Sequence, residues 1–169
     1  RACFTRAFEI SDIPGQALLK ISADTRYVAY LNGEEIARGP ARSVREHWVY
    51  DEIDVSSKLK SGANLLAVSV WSYGWSTYQT IASLGGLCFE LAADGETLFR
   101  SDEAVRCHRD DGHQSFWPKR NVNLGFTDSY DAGRFSQDWI ENPAASSAWS
   151  PAAPISDEWG PLTRSPINA

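Results

Sequence analysis

Two clusters of side chains concentrate the chemistry of this chain. The first is Trp71, Tyr73, Trp75, Tyr78 and Gln79, set in a hydroxyl-rich stretch. The second is Asp110, Asp111, His113, Trp117 and Arg120. Both combine flat aromatic faces with hydrogen-bonding groups. A pyranose ring is the complement of such a set, with an apolar C–H face and a rim of hydroxyls. Rings cover the face. Amides, carboxylates and guanidinium groups satisfy the hydroxyls, which are costly to desolvate unpaired. Both clusters are therefore candidate carbohydrate-binding residues. The competing reading places Trp71, Trp75 and Trp117 in the core or against neighbouring domains.

Other chemistries find less support. Two carboxylates about 6.5–9.5 Å apart would suit inverting glycoside hydrolysis. Among 22 acidic residues some pair meets that spacing by chance. There is no G-x-S-x-G nucleophile pattern, and His47, His108 and His113 belong to no catalytic motif. No catalytic residue is assigned, and the chain by itself is not expected to be an enzyme. Asp110-Asp111-Gly112 and Asp51-Glu52-x-Asp54 offer oxygens to a structural Ca²⁺. Neither matches a calcium loop, and turn-forming Asp is the simpler reading. No zinc pattern is present, and no cofactor is assigned. Cys3, Cys88 and Cys107 are widely spaced and odd in number, which predicts free thiols rather than a disulfide framework. Asp24 and Arg26 are expected to fix the entry of a strand, and Asp131 and Arg134 to form a structural ion pair or pin a loop. Glu34 and Glu35 are read as solvated.

The elements that must position these clusters are short strands. The 169 residues suit one domain with an appended tail, and 43% hydrophobic content suits a packed core. Seven Trp, six Tyr and seven Phe exceed what ordinary composition supplies, so aromatic surface must be used somewhere. A net charge of −6 with scattered basic residues argues against nucleic acid and anionic membrane as partners. No apolar stretch reaches the roughly 18 residues needed to span a bilayer. Arg1 at the start and the lack of Met suggest a processed or excised fragment.

Ala17, Leu19 and Ile21 alternate with polar or opposite-facing residues at the period of a strand. Tyr27–Leu31 leads into Asn32-Gly33, a hairpin signal because a type I′ turn needs positive φ at both central residues. Gly39-Pro40 ends the return strand. Asn64–Ser72 is the clearest core strand, with Leu66, Val68 and Val70 on one face. A short helical turn is expected within Asp51–Lys60. Strands are expected at Gly86–Leu91, Thr97–Arg100, Val105–His108 and Leu124–Tyr130. The Ala-, Ser- and Pro-rich segment from Asn142 reads as a tail, held against the domain by Trp149 and Trp159.

Several blocks resemble the N-terminal, galactose-binding-domain-like domain of family 78 glycoside hydrolases, the bacterial α-L-rhamnosidases. They are Ala23-Asp24-x-x-Tyr27 with Asn32-Gly33 and Gly39-Pro40, then Tyr50-Asp51-x-x-Asp54-Val55 with Leu59 and Gly62-x-Asn64. Gly74-Trp75, Ser101-Asp102, and Tyr130-Asp131-Ala132-Gly133-Arg134 with Trp139 and Trp149 follow. Gly133 is inserted relative to the family's Y-D-A-R, and Asp128 stands where Glu is common. The resemblance implies that catalytic groups lie on a separate (α/α) barrel of a longer parent chain.

The fold expected is all-β, a two-sheet jelly-roll sandwich over residues 1–140, with residues 141–169 as tail or linker. The expected function is a non-catalytic accessory domain binding an oligo- or polysaccharide, with rhamnose-containing glycans as one class. The alternatives are a structural domain packed on the parent's barrel without sugar binding of its own, and a stand-alone lectin-like module. The compartment is open, cytoplasmic or secreted.

Overall fold

The computed structural model describes residues 1–43, 47–78, 80–114, 121, 127–155 and 161–165. Its strands are β1 (Ala2–Ile10), β2 (Ala17–Asp24), β3 (Arg26–Leu31), β4 (Glu34–Gly39), β5 (Val49–Asp54) and β6 (Gly62–Trp71). They continue with β7 (Gly86–Ala93), β8 (Glu96–Arg100), β9 (Arg106–Arg109), β10 (Ser150–Pro151) and β11 (Thr163–Arg164). One sheet runs β10-β9-β1-β6-β3-β4 and the other β11-β5-β2-β7-β8. Successive strands pass repeatedly from one sheet to the other, which is the winding of a jelly-roll sandwich. Every pairing between these strands is antiparallel except β11 with β5.

Turn chemistry sets the registers. Asn32 (φ 54°) and Gly33 (φ 89°) both lie in the left-handed region, as the β3–β4 hairpin requires. The Asn32 amide also ties this hairpin to β6. Its Oδ1 accepts from the Leu65 backbone N–H at 3.0 Å, and its Nδ2 donates to Asn64 Oδ1 at 2.9 Å. Asp94 and Gly95 repeat the turn between β7 and β8. The expected helical turn is a single 3-10 turn at Ser56–Lys58, preceded by Asp54, whose carboxylate accepts from the Ser56 backbone and hydroxyl.

Between the sheets lies a core that includes Leu19, Ile21, Ala29, Leu66, Val68, Val70, Phe89 and Leu91. The opposite face of β6 is buried too, because Ala67 packs with Cys3 and Trp139 from the C-terminal part. That explains why β6 reads as an almost unbroken apolar run rather than a clean alternation. Trp139 sits in a 3-10 turn at Asp138–Ile140, and Trp149 lies against Trp139 and His108. The segment beyond residue 141 adds β10 to one sheet and β11 to the other. Trp159 lies outside the described residues. Of the strand expected at Leu124–Tyr130, residues 124–126 also lie outside the described residues; residues 127–129 form no strand, and Tyr130 makes one isolated bridge to His113.

A buried polar contact spans the sandwich. Tyr27 of β3 donates its hydroxyl to Asp51 Oδ2 of β5 at 2.6 Å, with Asp51 wholly buried. Burial and this carboxylate push the Tyr27 phenol far above its ordinary pKa. Gly39, at the end of β4, closes over the pair: a Cβ there would lie 2.0 Å from Asp51 Oδ2 and 3.0 Å from the Tyr27 ring. Tyr27→Phe would leave the buried carboxylate one donor short, a loss of about 1–3 kcal/mol. At about 2–4 °C per kcal/mol for a chain this size, thermal denaturation followed by circular dichroism should show a clear drop in Tm.

The three cysteines are free. Burial pushes the Cys88 thiol up to about 11 and moves the Cys3 thiol well above its ordinary value. The thiolate is the reactive form. At pH 8 iodoacetamide should therefore leave Cys3 and Cys88 unlabelled in the native protein and label both after unfolding, as read by peptide mass spectrometry.

Candidate functional site

Strand registers bring several loops to one end of the sandwich. Ala2 pairs with both Val70 and Arg109, Arg26 with Trp71, Tyr27 with Gly39, and Asp24 with Gly86. The loops after Asp24, Gly39, Trp71 and Arg109 therefore leave the sheets side by side. Among them lies a cavity of about 390 Å³. Asp24, Thr25, Arg26, Arg42, Trp48, Thr77, Tyr78, Thr80 and Ser83 supply its polar and aromatic wall.

The wall mixes the two functions a sugar site needs. Trp48 is almost wholly buried and forms part of the lining, while Tyr78 is 74% exposed on the loop. That loop is braced from within: Thr77 Oγ1 and Thr80 Oγ1 lie 2.8 Å apart, the Thr77 N–H donates to the Thr80 carbonyl, and Ala82 N–H donates to Ser76 Oγ. Tyr78 is thus presented by a hydrogen-bonded turn. Asp24 is 4% exposed and accepts from Thr25 Oγ1 at 3.1 Å. Ser83 Oγ is buried and has no hydrogen-bond partner among the described residues.

The sequence candidates separate here. Tyr78 lines the cavity. Trp75, 62% exposed, is on the same loop but not among the lining residues. Trp71 and Tyr73 pack on one another with centroids 5.0 Å apart and planes tilted by 59°, and the Arg1 guanidinium lies 4.8 Å from the Trp71 ring centroid. Gln79 and Trp117 lie outside the described residues, as does Arg120.

Asp110 and His113 form a closed structural knot. Asp110 is 4% exposed; one oxygen accepts from the Gly112 N–H and the other meets His113 Nδ1 at 2.6 Å. His113 Nε2 faces Asp128 at 3.6 Å, and its ring packs on Tyr130. Arg1 joins this knot to Trp71, since its Nη2 also reaches Asp128 at 2.7 Å. Asp111 remains exposed. Asp131 pins the loop as expected, accepting from the Gly133 N–H.

Of the carboxylates considered for Ca²⁺, Asp51 is engaged by Tyr27, Glu52 by Arg164, Asp54 by Ser56, and Asp110 by Gly112 and His113, while Asp111 is exposed. Among the described residues no group of three or more His, Cys, Asp or Glu is placed to hold a metal ion.

Trp48, Arg26 and Arg42 were not among the sequence candidates. Trp48 reads as the start of a strand, and Arg26 as a pin for strand entry. Arg42 follows the Gly39-Pro40 break, in a polar stretch whose sequence carries no motif.

No protein-family model matches the chain, and no curated protein does. Solved structures do. A GH78 family rhamnosidase of Bacillus sp. GL1 matches with a TM-score of 0.87 and 34% identity, over 96% of this chain and 18% of that one. An α-L-rhamnosidase from Dictyoglumus thermophilum matches with a TM-score of 0.74 and 21% identity, over 96% of this chain and 18% of that one. The Streptomyces avermitilis α-L-rhamnosidase, solved with L-rhamnose, gives 0.70 and 21%, over 94% and 16%. The two lower identities speak to fold alone. This chain is therefore a β-sandwich domain similar to one within the GH78 family rhamnosidases.

Proposed function

We propose that this chain is a non-catalytic accessory domain of a longer rhamnosidase-like glycoside hydrolase, and that it binds saccharide at the loop end of the sandwich. The observation that carries this reading is the 390 Å³ cavity, which joins two aromatic rings to a buried carboxylate, two guanidinium groups and several hydroxyls. Tyr78 and Trp48 offer apolar faces to a pyranose, and Asp24, Thr77, Thr80 and Ser83 offer partners to its hydroxyls. The volume falls in the range of about 300–1,000 Å³ common to small-molecule sites. So small a contact implies dissociation constants of roughly tens of micromolar to millimolar.

A second reading has its own support. An open groove of about 830 Å³ is lined by Phe4, Val70, Leu87, Phe89 and Val105, with Leu84 and Ile155 strongly exposed beside it. An apolar groove with such a rim suits packing against another part of a parent chain, which is the structural-domain alternative.

Titration of tryptophan fluorescence with L-rhamnose, D-galactose and a rhamnose-rich pectin fragment separates the two. A saturable change is expected, because Trp48 lines the cavity. Tyr78→Ala should weaken that binding several-fold, up to about tenfold for the loss of one stacking ring, while Tm stays within a degree or so of the parent. Silence across the panel, with the protein folded, would favour the structural domain.

A further inference from the structure

Resting on the reading of the cavity as a saccharide site, we infer that it prefers saccharides carrying a carboxylate, with the acid group held between Arg26 and Arg42. Both side chains line the cavity. The chain as a whole is acidic, with 22 Asp and Glu against 16 Lys and Arg, so a basic side chain has many carboxylates to choose from. Elsewhere five arginines have taken them, while Arg106 and Arg134 show no ion pair among the described residues and do not line this cavity. Arg1 pairs with Asp128, Arg6 with Asp102, Arg38 with Glu35, Arg100 with Glu90 and Arg164 with Glu52. Arg26 and Arg42 have no ion-pair or hydrogen-bond partner among the described residues, and they meet at one cavity.

Asp24 is the one acidic residue among the described lining residues. It is 4% exposed and engaged by the Thr25 hydroxyl, and it pairs with neither arginine. The wall thus carries two guanidinium charges against one carboxylate, a positive mouth on a protein of net charge −6. A guanidinium is a planar fork of donors that fits a planar carboxylate in two parallel hydrogen bonds. A uronic acid places such a carboxylate on the edge of a pyranose ring, so the ring can lie against Tyr78 while the acid turns to the arginines. Arg26 and Arg42 are both exposed. Solvent and salt therefore screen the attraction, and its effect is modest and salt-sensitive.

The test compares digalacturonate with its methyl ester by isothermal titration calorimetry on this chain. The acid is expected to bind about threefold to fivefold more tightly than the ester at low salt, as exposed ion pairs imply. The two affinities should converge toward about 0.5 M NaCl, where charges are screened beyond a few ångströms. The double variant Arg26→Gln, Arg42→Gln should bring the acid down to the affinity of the ester and leave the ester unchanged. Sodium acetate alone should bind far more weakly than digalacturonate. Equal binding of acid and ester, or an acid preference that survives the double substitution, overturns the carboxylate preference and leaves the saccharide site standing. Acetate binding as well as digalacturonate overturns recognition of the sugar ring. Failure of every saccharide, acid, ester and neutral, overturns the saccharide site itself.

Discussion

A buried hydrogen bond between Tyr27 and Asp51 ties the two sheets together at the point where the loop end begins. Asp51 has no contact with water, and a carboxylate in that position is tolerable only if its oxygens are satisfied. Tyr27, arriving from the opposite sheet, supplies a short hydroxyl donor. The consequence reaches beyond the pair. Gly39 must lack a side chain to pass over them, and the chain that passes there continues into Pro40, Ala41 and Arg42 on the cavity wall. Tyr27 also follows Arg26, and Asp51 lies three residues beyond Trp48. The pair therefore anchors three of the segments that form the cavity. An apolar pair of similar size could hold the sheets together, since buried polar contacts seldom beat hydrophobic packing in net stability. What a directional bond adds is a fixed relative position for the strands that carry the loops.

The strands were legible because their signals are local. Alternation in Ala17–Ile21, the Asn32-Gly33 and Asp94-Gly95 pairs and the apolar run of β6 each state their own conformation. The short 3-10 turn at Ser56–Lys58 was legible for the same reason, through Asp54 and Ser56. The outside of β6 was harder. Nothing in Leu65–Ala67 says that Trp139, more than seventy residues later, will cover it.

The cavity was less legible, and the reason is topological. Its described wall draws on residues 24–26, 40–43, 48, 77, 78, 80, 81 and 83, which only the crossing strands bring together. Aromatic density pointed to Tyr78, which lines the cavity, but equally to Trp71 and Tyr73, which pack on each other beneath Arg1. Residue type alone cannot separate a ring offered to a ligand from a ring offered to a guanidinium. The second cluster made the opposite impression. Asp110 and His113 look reactive in sequence, yet their polar atoms are spent on Gly112, Asp128 and one another.

The molecule therefore presents two surfaces of unlike chemistry. One is the charged and aromatic cavity, where the described carboxylate and guanidinium groups are not matched to each other. The other is the apolar groove walled by Val70, Leu87 and Phe89. Water stabilises the first and penalises the second. A domain that spans 18% of the Bacillus rhamnosidase it resembles can use both, since covering the groove with neighbouring protein does not require covering the cavity. Leu84 and Tyr78 are carried by the same 72–85 segment, yet Leu84 borders the groove and Tyr78 the cavity. Contact at one surface would therefore bear directly on the loop that shapes the other, so saccharide binding and packing within a larger chain are compatible roles.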